Sequence, residues 1–260
     1  MESETSTIKQ RTGEILRRIQ DACKRVGRKP DEVQLIAVSK THGAEAIREA
    51  VEAGLVHIGE NKVQEAKDKL HLLQQDKAFS HVRWHYIGHL QTNKVRQAVE
   101  IFDMIHSVDS IRLAAEIDRR SYTRDKTMPI LIQVNTSREK SKYGIDPDDT
   151  LELVKHVSDL KNVKIKGLMT IGALSAATAN DTVKIRSFFR KLRELKEFIS
   201  DQKIPNVDME YLSMGMSGDF EIAIEEGATH LRIGTSIFGK RKRTMRNAAA
   251  TLSTKSEEDL

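Results

Sequence analysis

The chain alternates regularly between short apolar runs and longer amphipathic segments, and this alternation constrains its fold more than any other feature. The apolar runs are rich in Val, Ile, Leu or Met, which is typical of buried strands. Each is followed by a segment whose apolar residues recur at helical spacing. The eight runs cover residues 33–39, 56–59, 84–88, 103–108, 129–135, 163–172, 209–214 and 230–234. We therefore predict eight strands, each followed by a helix.

Eight strand–helix units within about 240 residues are typical of a single (β/α)8 TIM-type barrel, which is an α/β fold. A doubly wound open sheet is built from the same units, so periodicity alone leaves that alternative open. The number of strands favours the barrel. An extra helix is predicted over 7–26, before the first strand.

Two of the predicted helices have clear apolar faces. The buried face of the first is expected to consist of Ile8, Ile15, Ile19, Ala22 and Val26, with Cys23 packing beside it. The longest helix is predicted over 181–202. Its buried face is expected to consist of Val183, Phe188, Leu192, Leu195 and Ile199.

The formal net charge of +5 is concentrated near the end of the chain, between Lys240 and Arg246. We expect residues 1–240 to form the barrel and 241–260 to form a basic, disordered tail. Without this cluster the chain is close to neutral, so no nucleic-acid-binding face is predicted. An RNA-associated protein that uses the tail stays as a distant alternative, and it predicts salt-dependent binding.

Several classes of protein are disfavoured. One cysteine cannot build a disulfide framework or a cysteine-based zinc cluster. No apolar run approaches the roughly 18 residues of a membrane helix, and the first residues lack the features of a targeting peptide, so we expect a cytoplasmic protein. His81, His85 and His89 straddle a predicted strand, where their spacing does not converge them, so no metal site is predicted.

In a (β/α)8 barrel the chemistry lies at the carboxyl ends of the strands. Lys40 follows the first apolar strand directly and is the one lysine in such a position. An apolar environment favours the neutral amine of a lysine, which is nucleophilic and forms Schiff bases with aldehydes and ketones. A lysine that simply reaches out to the solvent at the rim is the structural alternative.

The turns after strands seven and eight are where barrels commonly hold phosphate. Here they read SMGMSGDF (213–220) and RIGTSIFG (232–239), two small-residue turns that lead into helices. Glycine allows the backbone to approach an anion, which the N–H groups then bind. Together with Lys40, the turns predict a pocket for a phosphate-bearing carbonyl compound. A Schiff-base aldolase, which needs no cofactor, would use the same groups.

Six segments carry a resemblance to a known family. They read IAVSKTH, HIGENKVQEA, WHYIGHLQTNK, GLMTIG, YLSMGMSGDFEIAIEEG and HLRIGTSIFG. These segments closely resemble the pyridoxal phosphate homeostasis protein family, over residues 10–240. The resemblance implies a barrel similar to the N-terminal domain of alanine racemase, with pyridoxal 5′-phosphate (PLP) as its cofactor.

The resemblance also assigns roles to individual residues. It implies that Lys40 forms the Schiff base with PLP, that Arg232 faces the pyridine nitrogen and that Asn61 lines the ring. The phosphate cradle it implies consists of Ser213, Met214, Ser217, Gly234 and Thr235.

These roles favour a protein that buffers or delivers PLP without robust catalysis of its own. A cation beside the pyridine nitrogen disfavours its protonation, which weakens the ring as an electron sink. Racemisation also needs a second base, which in alanine racemase is a tyrosine from a second domain, and we expect this chain to have no such domain. We therefore expect a monomer, with PLP-dependent apo-enzymes as candidate recipients. A PLP-dependent amino-acid racemase is the alternative.

Overall fold

The computed structural model describes residues 6–139, 141–172 and 181–239. Within them, eight parallel strands pair in chain order and the last pairs with the first, so the sheet closes into a barrel. The strands are β1 (Gln34–Val38), β2 (His57–Glu60), β3 (Arg83–Tyr86), β4 (Met104–Val108), β5 (Met128–Gln133), β6 (Val163–Met169), β7 (Val207–Ser213) and β8 (His230–Ile233). The closure confirms the predicted TIM-type barrel and excludes the open sheet.

Helices surround the barrel, as the amphipathic segments predicted. Among the described residues they are α1 (Ile8–Arg25), α2 (Ala44–Glu52), α3 (Val63–Leu73), α4 (Val95–Ile101), α5 (Ile111–Tyr122), α6 (Thr150–Ser158), α7 (Thr182–Asp201), α8 (Phe220–Glu225) and α9 (Thr235–Phe238). Their apolar sides cover the sheet: Ile47 in α2, Ile117 in α5 and Leu192 in α7 are fully buried. A parallel sheet covered in this way gives the loops at its carboxyl ends a rigid base.

The extra helix α1 precedes β1, as predicted, and packs against α8 and α9, the last two described helices. The Arg11 side chain donates to the Ile237 carbonyl of α9 at 2.6 Å, and Arg18 pairs with Glu221 of α8 at 2.9 Å. Cys23 is fully buried, which confirms its packing role, and burial raises the pKa of its thiol. Val26 was wrongly placed on the buried face: it caps the helix and is 41% exposed.

The buried face of α7 differs from the prediction. Val183 is 80% exposed, because a helix turns by about 100° per residue, which places Val183 on the side opposite the buried Ile185. The fully or nearly fully buried positions are Ile185, Phe189, Leu192 and Ile199. The apolar pattern therefore predicts the helix correctly and the start of its buried stripe wrongly.

Two parts of the chain that figured in the predictions lie outside the described residues. They are the small-residue loop at 173–180 and the basic tail at 241–260. Among the residues that the structure does describe, no helix combines the length and the apolar character needed to cross a membrane.

Candidate functional site

A cavity of about 380 Å³ opens at the carboxyl ends of the strands. Six of the eight residues predicted for the site line it, contributed by segments that follow β1, β2 and β7 and by β8 with its turn. They are Lys40, Asn61, Ser217, Arg232, Gly234 and Thr235. The barrel thus brings together side chains that lie up to 195 positions apart in the sequence.

Lys40 is half-buried and lies two residues beyond the end of β1. The chain turns immediately after it, since Thr41 adopts a left-handed backbone conformation with φ of 69°. The Thr41 N–H donates to the Glu65 carboxylate of α3, which anchors this turn to the neighbouring helix. Lys40 is therefore held on the cavity wall by a fixed turn.

A buried lysine that the sequence analysis missed stabilises the same corner. Lys69 of α3 donates to the Ser39 carbonyl at 2.8 Å, to Glu60 at 2.6 Å and to Glu65 at 2.7 Å. Glu60 is fully buried, and burial raises the pKa of its carboxyl although Lys69 acts in the opposite direction. This ion pair ties the ends of β1 and β2 to α3. Lys69 could have been found from the sequence, because it lies three residues after Ala66, on the buried side of an amphipathic helix.

Arg232 of β8 places a positive charge in the floor of the cavity. Its guanidinium donates to the Ser213 hydroxyl at 2.6 Å and to the Thr170 carbonyl at 2.8 Å, and only 4% of the residue is exposed. Burial lowers the pKa of Arg232 to about 10, with Asp219 opposing the shift, so the group stays charged at neutral pH. Within the described residues, no carboxylate forms a salt bridge with it.

The turns after β7 and β8 form a further part of the cavity wall. Gly215 has a φ of 91°, and a Cβ there would lie 2.6 Å from that of Ala223, so the β7 turn requires glycine. The Ser236 N–H donates to the Ser217 hydroxyl at 3.4 Å, which joins the two turns. A Cβ on Gly234 would lie 3.2 Å from the carbonyl oxygen of Val38 in β1. The β8 turn therefore lies close beside the end of β1.

Ser213 and Met214, the other two predicted residues, are not brought to the cavity wall. Both are fully buried. The Ser213 hydroxyl is held between Arg232 and His106 inside the barrel. Met214 packs in the hydrophobic core, and its N–H donates to the His230 carbonyl at 3.1 Å. Only the later residues of the SMGMS motif line the cavity wall, because the first residue of the motif still belongs to β7.

Asn61 is held from behind by the segment that follows β3. A Cβ on Gly88 would lie only 2.3 Å from the Asn61 carbonyl oxygen, so the two backbones are in close contact. The Tyr86 hydroxyl donates to the His89 carbonyl at 3.0 Å and lies 3.3 Å from that of Asn61. The Asn61 Oδ1 atom is buried and has no hydrogen-bond partner among the described residues. It is a polar group on the cavity wall that the fold leaves unsatisfied.

None of the four tyrosines, all of which lie in the described part of the chain, lines the cavity. Tyr86 is buried, and burial raises the pKa of its hydroxyl to about 12. Tyr122 and Tyr143 are exposed, and Tyr211 lies at the amino-terminal end of the barrel. A tyrosine base facing Lys40 is therefore absent from the described structure.

The three histidines at four-residue spacing do not converge. His85 lies inside the barrel, His89 stacks on Tyr143 with ring centroids 3.7 Å apart, and His81 is exposed. The described residues hold no group of three or more side chains arranged to bind a metal ion.

Comparison with known proteins places the chain in a family. It matches the family described as alanine racemase, N-terminal domain, over residues 12–242. It is 43% identical over 233 residues to the pyridoxal phosphate homeostasis protein of Aquifex aeolicus, covering 90% of this chain and 98% of that protein.

Two solved structures are similar over nearly their whole length. An unknown protein from Bifidobacterium adolescentis has a TM-score of 0.81 at 37% identity, with 88% of this chain and 94% of that chain covered. PipY of Synechococcus elongatus, solved with PLP bound, has a TM-score of 0.75 at 39% identity, with 90% and 100% covered. The chain therefore belongs to the pyridoxal phosphate homeostasis protein family, within the wider family of alanine racemase N-terminal domains.

Proposed function

We propose that this chain binds PLP in the cavity and takes part in PLP homeostasis in the cytoplasm, where it buffers the cofactor or delivers it to PLP-dependent apo-enzymes. The observation that carries the proposal is the meeting of Lys40, Arg232 and two small-residue turns on one cavity. The relatives support it: the Aquifex aeolicus protein carries the homeostasis name, and PipY has been solved with PLP.

The residues on the wall fit this cofactor. Arg232 supplies a buried positive charge that no described carboxylate neutralises by a salt bridge, and such a charge stabilises an anionic ligand. Asn61 Oδ1 offers an unused polar atom. Gly218 and Gly234 line the cavity with bare backbone, which a phosphate can approach closely. A volume of about 380 Å³ suits one aromatic ring with a phosphate.

Each residue has a distinct role in the proposal. Bound PLP supplies an aldehyde and an electron-withdrawing pyridine ring. Lys40 would hold PLP through its Nζ, whose amine can form a Schiff base with an aldehyde carbon with loss of water. Ser217, Gly234 and Thr235 hold the phosphate with hydroxyl and backbone N–H groups. Arg232 would face the ring nitrogen, and Asn61 would line the ring.

Ser213 and Met214 serve the site from beneath the wall. Ser213 accepts a hydrogen bond from Arg232 and so holds its guanidinium. Met214 joins the β7 turn to β8 through its backbone N–H. Neither side chain is needed as a direct phosphate contact, which the three wall residues provide.

The same geometry favours a protein that holds PLP over an enzyme that uses PLP to convert a substrate. Arg232 can only donate hydrogen bonds, so it favours a pyridine nitrogen without a proton, which withdraws electrons weakly. Racemisation needs two bases on opposite faces of the substrate carbon, and no tyrosine of the described residues stands opposite Lys40. We propose that the protein works as a monomer without robust catalysis.

Titration with PLP followed by visible absorbance tests the function. The wild type is expected to develop a saturable visible band, distinct from that of free PLP, that Lys40→Ala lacks, because the imine between Lys40 and the PLP aldehyde produces it. Pyridoxal, which has no phosphate, is expected to bind far more weakly, since it makes no contact with the two turns. No band with the wild type would contradict the proposal and favour a cofactor-free aldolase.

Chiral analysis of alanine and serine incubated with the PLP-loaded protein tests the absence of turnover. We expect no racemisation at ordinary enzymatic rates. Racemisation at such rates that is lost in Lys40→Ala would overturn the carrier function and support the amino-acid racemase instead.

A further inference from the structure

A chain of hydrogen bonds runs through the barrel interior from the cavity floor to the opposite end. The Arg232 guanidinium lies 2.6 Å from Ser213 Oγ, which lies 2.9 Å from His106 Nδ1. His106 Nε2 lies 3.0 Å from His85 Nδ1, and His85 Nε2 lies 2.8 Å from His57 Nδ1. We call these five residues the histidine chain. It ends at a second cavity of about 570 Å³, at the amino-terminal end of the barrel, which His57 and His85 line.

Burial favours the neutral form of all three histidines in the histidine chain. His106 and His85 are 0% and 3% exposed, and burial lowers the pKa of each imidazolium well below its usual range. Burial and the neighbouring Arg83 also lower the pKa of His57, with Asp103 opposing. A neutral imidazole has one N–H donor and one acceptor nitrogen, so each ring can pass a hydrogen bond in only one direction at a time.

Arg232 determines that direction. A guanidinium has donors only, so the Ser213 oxygen must accept from it. The Ser213 hydroxyl then donates to His106 Nδ1, which leaves the proton of that ring on Nε2. His106 Nε2–H donates to His85, and by the same step His85 donates to His57. Every buried polar atom along the chain is satisfied in this arrangement, and the reverse arrangement leaves the serine hydroxyl without an acceptor.

We propose that His106 is a positioning residue for Arg232: by accepting the Ser213 hydroxyl proton, it orients the serine oxygen that holds the guanidinium at the floor of the cavity. The proposal rests on the proposed function, since the benefit is a preorganised cation for bound PLP. Hydrogen bonds linked in series polarise one another, and a group held in its bound position pays less ordering cost when the ligand arrives. Ser213, predicted as a phosphate contact, acts through Arg232 in this arrangement.

Two substitutions of His106 by side chains of the same branched shape, asparagine and leucine, separate this role from packing. In His106→Asn, the new side chain can place its amide oxygen where Nδ1 was and accept from Ser213, whereas His106→Leu fills a similar volume without an acceptor. We expect His106→Leu to bind PLP about fivefold more weakly than His106→Asn, as befits one lost neutral hydrogen bond. The difference should vanish when each is combined with Ser213→Ala, because the hydroxyl is then gone.

His230 provides the matched control. Its ring lies in the same interior, with centroids 6.0 Å from His106 and 6.3 Å from His85, but its Nδ1 bonds to Thr229 at 2.9 Å and not to the chain. His230→Asn and His230→Leu are therefore expected to bind PLP equally. Equal affinities for the two His106 variants, or a fivefold difference that persists without the Ser213 hydroxyl, would overturn the proposal while the wild type still binds PLP.

Nitrogen-15 NMR of the histidine rings in the PLP-free wild type tests the direction of the histidine chain. This test depends neither on PLP binding nor on the folding of any variant. We expect His57, His85 and His106 to be neutral at pH 7 with the proton on Nε2. A proton on Nδ1 of His106 would overturn the inferred direction and with it the positioning role. If the proton is found on Nε2 but the wild type does not bind PLP, the proposed function fails, whereas the inferred direction of the histidine chain is confirmed.

Discussion

The buried ion pair beside Lys40 allows a stability prediction to be worked through. In Lys69→Met, the Glu60 carboxylate loses its cation while it stays fully buried, with Ser39 as its remaining hydrogen-bond donor. Leaving one member of a buried pair in this way typically costs about 3–5 kcal/mol. Protonation of Glu60 limits the cost. From an ordinary pKa of about 4.3, protonation at pH 7 costs about 3.7 kcal/mol, at about 1.36 kcal/mol per pH unit.

The variant is therefore expected to lose up to about 3.7 kcal/mol of unfolding free energy at pH 7. The value is an upper bound, because burial already raises the pKa of Glu60 in the wild type. In Lys69→Met, the pKa of Glu60 is higher in the folded state than in the unfolded state, so the folded protein binds more protons than the unfolded protein. The stability deficit should consequently shrink as the pH falls, to about 1 kcal/mol at pH 5.

Urea unfolding followed by the fluorescence of Trp84, the single tryptophan, measures this deficit. Lys69→Met combined with Glu60→Gln should recover most of the loss, since no buried charge is left. Lys155→Met is the control: its ion pair with Glu152 is exposed and should contribute less than about 1 kcal/mol. A deficit that stays constant between pH 7 and pH 5, or that the double variant does not relieve, would refute the reasoning.

Three further predictions concern packing around the site and the core. Gly88→Ala should weaken PLP binding at least tenfold in an absorbance titration, because its Cβ would force the Asn61 backbone away; unchanged affinity would contradict the close contact. Phe189→Ala should cost about 3–5 kcal/mol of unfolding free energy, whereas Val183→Ala should cost less than about 0.5 kcal/mol; equal losses would contradict the observed face of α7. The Cys23 thiol should resist a thiol-labelling reagent until urea unfolds the chain, because burial raises its pKa and blocks access; rapid labelling of the folded protein would count against its buried position.

Much of the fold could be predicted from the sequence, because each strand and helix carries its own local signal. The run that contains most of β5 reads PILIQVN, whose composition indicates a buried strand, and the number of such runs favoured a barrel over an open sheet. The errors lie at helix ends. Val26 caps α1 after its last residue, and Val183 lies on the side of α7 opposite the buried Ile185, so both are exposed although they extend the apolar pattern.

The sequence predicted which residues lie at the ends of the strands, but it did not predict which of their side chains face the cavity. Lys40 follows β1 and Thr235 follows β8, and a barrel gathers such positions on one face. Whether Ser213 faces the cavity or the interior depends on where β7 ends, which a difference of one or two residues changes.

The buried polar groups could not be predicted, because their partners come from different strands. His57, His85 and His106 lie on β2, β3 and β4, and they meet only through the register in which those strands pair. No spacing within the sequence carries that information.

Reduction with borohydride of the PLP-loaded protein, followed by proteolysis and peptide mass mapping, tests the central claim most directly. The imine bond is converted to a stable amine, so the attached residue keeps the label. The account predicts one phosphopyridoxyl group per chain, on the peptide that contains Lys40. A label on a different lysine, or none on a protein that has turned yellow, would contradict it.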